Sequence, residues 1–251
     1  MAVSRRYRGV LFDLFGTLIT FDPARIPVLR LGERRISATV AGLGPHLARW
    51  IPGVDVEQFW EQLLAVSAEM ADARGASFVE LPSRERFRRT LERCSCDDDT
   101  LAEAAVDLSR AHMGMIVGAT VFPAAHAAVL AQARAAGAVG LVSNFDDTGS
   151  AYDILRRHEI LPHLDTVVVS EALGLRKPHP ALVRIGLRGL GLDPADVLFV
   201  GDTFHEDVVA AREAGVDCAW IDTHGRGVPD GEPAPRYVLR ALPDLSAILD
   251  G

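Results

Sequence analysis

The chain has 251 residues, 49% hydrophobic and 24% charged, with a formal net charge of -8. Such a makeup suits a globular protein with one large domain, or a core carrying a second lobe. The acid excess argues against nucleic acid as a partner, since neutralising phosphates needs a basic face.

The basic start, MAVSRRYRG, leads into no small-residue cleavage site. No uncharged run reaches the roughly 18 residues of a membrane span. Cys94, Cys96 and Cys218 read as reduced thiols, the CSC pair lying in a helical-looking region without the second half of a zinc site. A cytoplasmic protein with no membrane partner is expected.

In chain order, the first β-rich run is GVLFDLF from Gly9. From about Phe21 to Gly118 the pattern then reads almost wholly helical, as in DVEQFWEQLLAVSAEMADA, with apolar residues at three- and four-residue steps. So long a segment is no loop, and residues 21–118 are assigned to a helical cap inserted after the first strand. Further strand-like runs follow: AVGLVSN, DTVVVS, DVLFVGD and CAWID. They are near-continuous Val, Leu and Phe, as in strands buried on both faces of a parallel sheet. Helical patterns from Ala124 to Ala136, Pro180 to Leu190 and Glu206 to Ala214 alternate with them, each ending just before a glycine. The pattern predicts an α/β fold: a doubly wound, Rossmann-like parallel-sheet core built from residues 1–20 and 119–251.

In open parallel sheets ligands bind beyond the carboxyl ends of the strands. The runs deliver Asp13, Gly16 and Thr17 there, then Ser143 and Asn144, then Lys177, then Asp202 with Glu206 and Asp207. Lys and Arg together number 26 and Lys177 is the single lysine, so the other 25 are arginines. A compact ammonium on a thin stem suits a tight anionic site better than a guanidinium fork. A carboxylate can attack phosphorus and form an acyl phosphate, provided repulsion from the anionic substrate is offset. Two like charges at 4 Å repel by about 4 kcal/mol at an effective dielectric of 20. A magnesium ion needing only one or two carboxylates fits between Asp13 and Asp202, with Asp207 touching it directly or through bound water. Lys177 is placed to bridge nucleophile and phosphoryl oxygens. Ser143 and Asn144 are placed to hydrogen-bond the substrate, and Thr17 to support the loop and contact the substrate. Asp146 and Asp147 are candidate caps of the helix near Thr148, and His205 and Glu206 read as a solvated helix start. Trp50 and Trp60 read as cap core.

The segments DLFGTL, SN, KPHP and GDTFHED resemble the four ordered motifs of the haloacid dehalogenase superfamily of hydrolases, and the helical insert is similar to its smaller cap type. The resemblance implies Asp13 as nucleophile, and magnesium held by Asp13, Asp202 and the backbone carbonyl of Phe15. It also implies Ser143 for substrate oxygens and Lys177 for charge neutralisation. Phosphatase members carry a second aspartate where this chain has Phe15. That aspartate protonates the leaving group, a contribution typically worth 10²–10⁴-fold. Dehalogenase members have an aromatic residue there but lack the metal-binding acid that Asp202 represents. Phosphonate-cleaving members use a cap lysine, which this chain does not have. The expectation is a magnesium-dependent phosphatase of a small phosphorylated metabolite. The alternatives are a 2-haloacid dehalogenase and a catalytically weak phosphate-binding or regulatory protein. Arg30, Arg34, Arg35 and Glu80 are candidate cap contacts, unranked by sequence. Oligomeric state is left open.

Overall fold

The structure, a computed structural model, describes residues 7–31 and 33–250; most of the basic N-terminal stretch lies outside them. The chain divides into two compact units, residues 1–20 with 121–251, and residues 21–120.

The first unit is built on six strands: β1 (Gly9–Phe12), β2 (Ala138–Ser143), β3 (Thr166–Val169), β4 (Val197–Gly201), β5 (Asp217–Ile221) and β6 (Tyr237–Leu239). Their order is β6-β5-β4-β1-β2-β3, and every pairing is parallel. β1 and β4 are buried at every residue, which accounts for their unbroken apolar sequence: neither face meets water. Leu11, Val142, Phe199 and Trp220 pack with Leu182, Val183 and Leu187 of the helix Ala181–Leu190 in one core. The chain steps from β1 to β2 and β3 on one side and returns to β4, β5 and β6 on the other. The switch in direction therefore falls between β1 and β4, where the ends of neighbouring strands part and open sheets hold their ligands.

The second unit has its own core, with Leu47, Phe59, Leu63, Phe87, Leu91 and Leu108 among its buried members. The helices Val56–Arg74, Ser83–Arg93 and Asp98–Ala119 build most of it. Asp55 opens the first with a capping box: its side chain accepts from Gln58 N while the Gln58 side chain accepts from Asp55 N, satisfying two orphan amides of the first turn.

Two local expectations are corrected. The segment 21–118 is not helical at its start: Val28–Leu31 and Arg34–Ser37 pair as antiparallel strands. Leu29 is buried between the exposed Val28 and Arg30, the two-residue alternation of a strand, which the arginine-rich composition obscured. The CSC pair is not helical either. The helix ends at Arg93, and Ser95 has a left-handed φ of 59°, so the pair lies in the connection to the next helix. No helix among the described residues is long and apolar enough to cross a membrane.

Candidate active site

Asp13 follows β1 directly, and its amide N–H still donates to Val200 O at 2.8 Å. The chain then reverses tightly, with Gly16 N bonding Ile19 O and Ile19 N bonding Leu14 O. Gly16 has φ 80°, and a Cβ there would lie 2.1 Å from Asp202 Oδ2. Only glycine meets both constraints. A Cβ on Gly201 would lie 2.4 Å from Asp207 Cγ. These two glycines let the loops after β1 and β4 bring their carboxylates together.

Asp13, Asp202 and Asp207 each offer a carboxylate oxygen within 4.8 Å of the others. Lys177 is buried among them. Its ammonium donates to Asp13 Oδ1 at 2.6 Å, Asp207 Oδ1 at 2.6 Å and Val142 O at 3.0 Å, which uses all three of its donors. Asp207 Oδ2 accepts from Thr203 N at 2.9 Å, so both its oxygens are engaged. Asp13 Oδ2 accepts no hydrogen bond from the described residues. One oxygen of the carboxylate is thus anchored and the other left open.

Three carboxylates face one ammonium. Burial pushes the Asp13 carboxyl up, to about 7; Lys177 pulls against this, while Asp207 and Asp202 push with it. Asp202 is raised as well, by burial and then by Asp207. Burial alone would lower the Lys177 ammonium, but its ion pairs with Asp13 and Asp207 hold it well above the ordinary lysine range. The donor set is all oxygen, carries excess negative charge and contains neither His nor Cys. It fits a hard divalent cation such as magnesium.

Two further groups point to a missing partner. Ser143 Oγ and Thr17 Oγ1 are buried with no hydrogen-bond partner. Each such orphan costs about 1–3 kcal/mol, a cost that a bound ligand or water would relieve. The ring of Phe15 packs against Phe145, with centroids 4.8 Å apart and planes at 58°. Both are half-buried.

A family profile for haloacid dehalogenase-like hydrolases matches residues 7–215. The chain belongs to this family. It is 28% identical over 241 residues to a phosphoglycolate phosphatase of Salmonella typhimurium, covering 92% of this chain and 88% of that protein. It is 28% identical over 246 residues to a pyrimidine 5'-nucleotidase of Escherichia coli, covering 97% and 98%. In fold it is similar to a 2-haloacid dehalogenase from Pseudomonas syringae, with a TM-score of 0.71, 22% identity, and 97% and 98% of the two chains covered. This haloacid dehalogenase-like hydrolase therefore shares its architecture with both phosphate- and halide-releasing proteins.

Other predicted residues sit as follows. Both ends of the Asn144 amide are taken by protein groups: Nδ2 donates to Lys177 O at 3.0 Å and to Glu206 Oε2 at 2.8 Å, and Oδ1 accepts from Lys177 N at 2.7 Å. Asn144 thereby clamps the backbone that carries the lysine. Glu206, read from sequence as solvated, is bonded to Asn144 and to Arg176 at 3.0 Å. It sits in a π-helical turn, Phe204–Val208, ahead of the helix Val209–Glu213. Such a turn widens the helix start, and π-turns recur at functional sites. Asp147 caps the helix Thr148–Arg157 by accepting from Ser150 N at 2.7 Å. In the second unit, Glu80 is buried and paired with Arg74 at 3.1 Å, while Arg30, Arg34 and Arg35 lie on the strand pair. Trp50 and Trp60 both pack against the core of that unit, as read from sequence. Sequence reasoning missed Gly16 and Gly201 as spacers; the signal present was a glycine three residues after Asp13 and another directly before Asp202.

Proposed function

We propose that the protein is a magnesium-dependent phosphatase acting on small phosphorylated metabolites, with Asp13 as the covalent nucleophile. The observation that carries this reading is the cluster of Asp13, Asp202 and Asp207 around Lys177. A carbon–halogen hydrolase has no use for the extra acids, because a cation there would compete for the attacking carboxylate. In the proposed first step Asp13 Oδ2 attacks phosphorus, forming a phosphoaspartyl bond as the phosphorus–oxygen bond to the leaving group breaks. Water then cleaves the intermediate and returns the carboxylate. Lys177 holds Asp13 by its other oxygen and keeps the open one aimed. Asn144 is a positioning residue that acts through the Lys177 backbone. Ser143 and Thr17 supply hydroxyls for phosphoryl oxygens or coordinated water. Magnesium would be held by Asp13, Asp202 and the Phe15 carbonyl, with Asp207 steadying its surroundings. When bound, the ion supplies neutralising charge for an anionic substrate.

Phe15 offers no proton, so the leaving group departs as an anion or takes its proton from water. The aromatic pair with Phe145 is an apolar surface beside the nucleophile, which favours aryl and acyl phosphates over simple alkyl esters. The same aromatic residue, together with the fold neighbours, supports a second reading as a 2-haloacid dehalogenase, since halide leaves unprotonated.

Phosphate release from 4-nitrophenyl phosphate tests the proposal. Activity should require magnesium and disappear in Asp13→Asn. Turnover that persists in the variant removes the nucleophile assignment, and metal-free chloride release from 2-chloropropionate moves the assignment to the second reading.

A further inference from the structure

A cavity of about 360 Å³ is lined wholly by residues of the segment 21–120, none of them given a role in the chemistry above. Its volume falls at the small end of the range for organic-ligand sites. The walls are mostly apolar, with Ile26, Trp60, Leu63 and Ile116 prominent. At its rim Phe21 and Leu64 are 44% and 48% exposed. Large apolar side chains left in water beside a concave apolar wall lose the burial energy that a seated ligand would supply.

One end of the cavity is polar, and its hydrogen bonds have a direction. His112 Nδ1 is 2.7 Å from Thr39 Oγ1, and His112 Nε2 is 3.4 Å from an Arg86 Nη. A guanidinium only donates, so Nε2 accepts. Burial, then the Arg86 charge, push the imidazole down to about 3, which leaves the ring neutral with its single proton on Nδ1. Nδ1–H therefore donates to Thr39 Oγ1. The Thr39 hydroxyl, with His112 as its only partner among the described residues, keeps its own hydrogen to give. The Ser67 hydroxyl, also on the wall, is already spent on Leu63 O at 2.6 Å. The same Arg86 nitrogen also reaches Ser83 Oγ at 3.5 Å, and the guanidinium lies over the Phe87 ring, so it is occupied by protein groups.

We propose that this cavity binds a small, uncharged, largely apolar organic group, aromatic in its best fit to Trp60 and Phe21, bearing one hydrogen-bond acceptor that receives the Thr39 hydroxyl. The relay from Arg86 through His112 leaves the Thr39 hydroxyl hydrogen available to an acceptor, while the Ser67 hydrogen is committed to Leu63 O. The site does not depend on the phosphatase reading, because none of its residues belongs to the core cluster.

The test uses the full chain and two probes of one shape: acetophenone, which has a carbonyl acceptor, and α-methylstyrene, which has a methylene in its place. Titrations followed by amide chemical shifts should show both saturating on residues 21–120, with acetophenone about five- to tenfold tighter, the worth of one hydrogen bond. Thr39→Val keeps the shape and should erase the difference while leaving α-methylstyrene unchanged. Ser67→Phe fills the cavity and should abolish both, with a thermal melt confirming that each variant is folded. The proposal is overturned if neither probe saturates, if the preference survives in Thr39→Val, if Ser67→Phe still binds, or if benzoate binds more tightly than acetophenone.

Discussion

Replacing Lys177 with methionine should destabilise the chelated protein by about 3–5 kcal/mol, the usual cost of removing one partner from a buried ion pair. The side chains of Lys177 and Asp207 are each 1% exposed and that of Asp13 10%, so water cannot take over the lost charge. The two carboxylate oxygens both touch Nζ at 2.6 Å, which puts them no more than about 5 Å apart. At that separation and an effective dielectric of 20, two negative charges repel by about 3 kcal/mol, in line with the larger figure once the lost hydrogen bonds are included. Urea unfolding in the presence of a chelator measures the loss. Added magnesium should restore part of it, because a cation bound only by the folded state stabilises that state. In the double variant Lys177→Met with Asp207→Asn, one of the stranded charges is gone, so the combined loss should fall short of the sum of the single losses by at least 0.5 kcal/mol. A single-variant loss below about 1 kcal/mol, or strict additivity, would mean that Lys177 does not neutralise this cluster.

Three further outcomes are expected. Gly16→Ala should raise the magnesium concentration needed for half-maximal activity more than tenfold and lower stability by about 1–3 kcal/mol, since its Cβ would collide with Asp202 Oδ2; a magnesium titration of activity beside a melt checks both. Phe15→Asp should raise turnover of alkyl phosphates by up to about 10²-fold and leave aryl phosphates nearly unchanged; a rate that rises equally for both would show that proton transfer is not what Phe15 removes. His112, held near 3 in the fold, binds its proton more readily when unfolded, near 6.5. The stability it contributes is complete above pH 6.5 and is lost as pH falls from there toward 3, at up to about 1.4 kcal/mol per pH unit. The unfolding midpoint of His112→Phe should therefore change less than that of the parent between pH 7 and 4.5.

What could be read from residues alone was whatever depends on burial at both faces or on position along a strand. β1 and β4 are apolar throughout because both faces are covered, so their sequences announce a parallel sheet. Asp13, Ser143, Lys177 and Asp202 follow such runs, so topology alone gathers them at one edge. The strand pair at 28–37 was hidden because its exposed face is arginine, a residue that serves helices as well. The role of Glu206 was hidden because a π-turn redirects it, and hydrogen bonding to Asn144 across 62 positions leaves no periodicity. The cap relay is less legible still. Thr39, Arg86 and His112 lie on three separate segments, and each is an ordinary polar residue in its own stretch.

The same reasoning bears on Phe15. Read as a letter in a motif, it is a loss of function. Set beside Phe145 at 4.8 Å, it is half of an aromatic surface next to an aspartate whose open oxygen, lysine anchor and acidic neighbours all remain. A site that had lost its chemistry would have no need to keep Lys177 at full cost, with every donor satisfied by an acid or a carbonyl. In the proposed phosphatase, the retained machinery and the altered wall fit a change that acts on the departing group. On the proposed mechanism, selectivity would be set by how readily the leaving group carries charge away, and the rate across a series of leaving groups should depend on their acidity more steeply than in the Phe15→Asp variant.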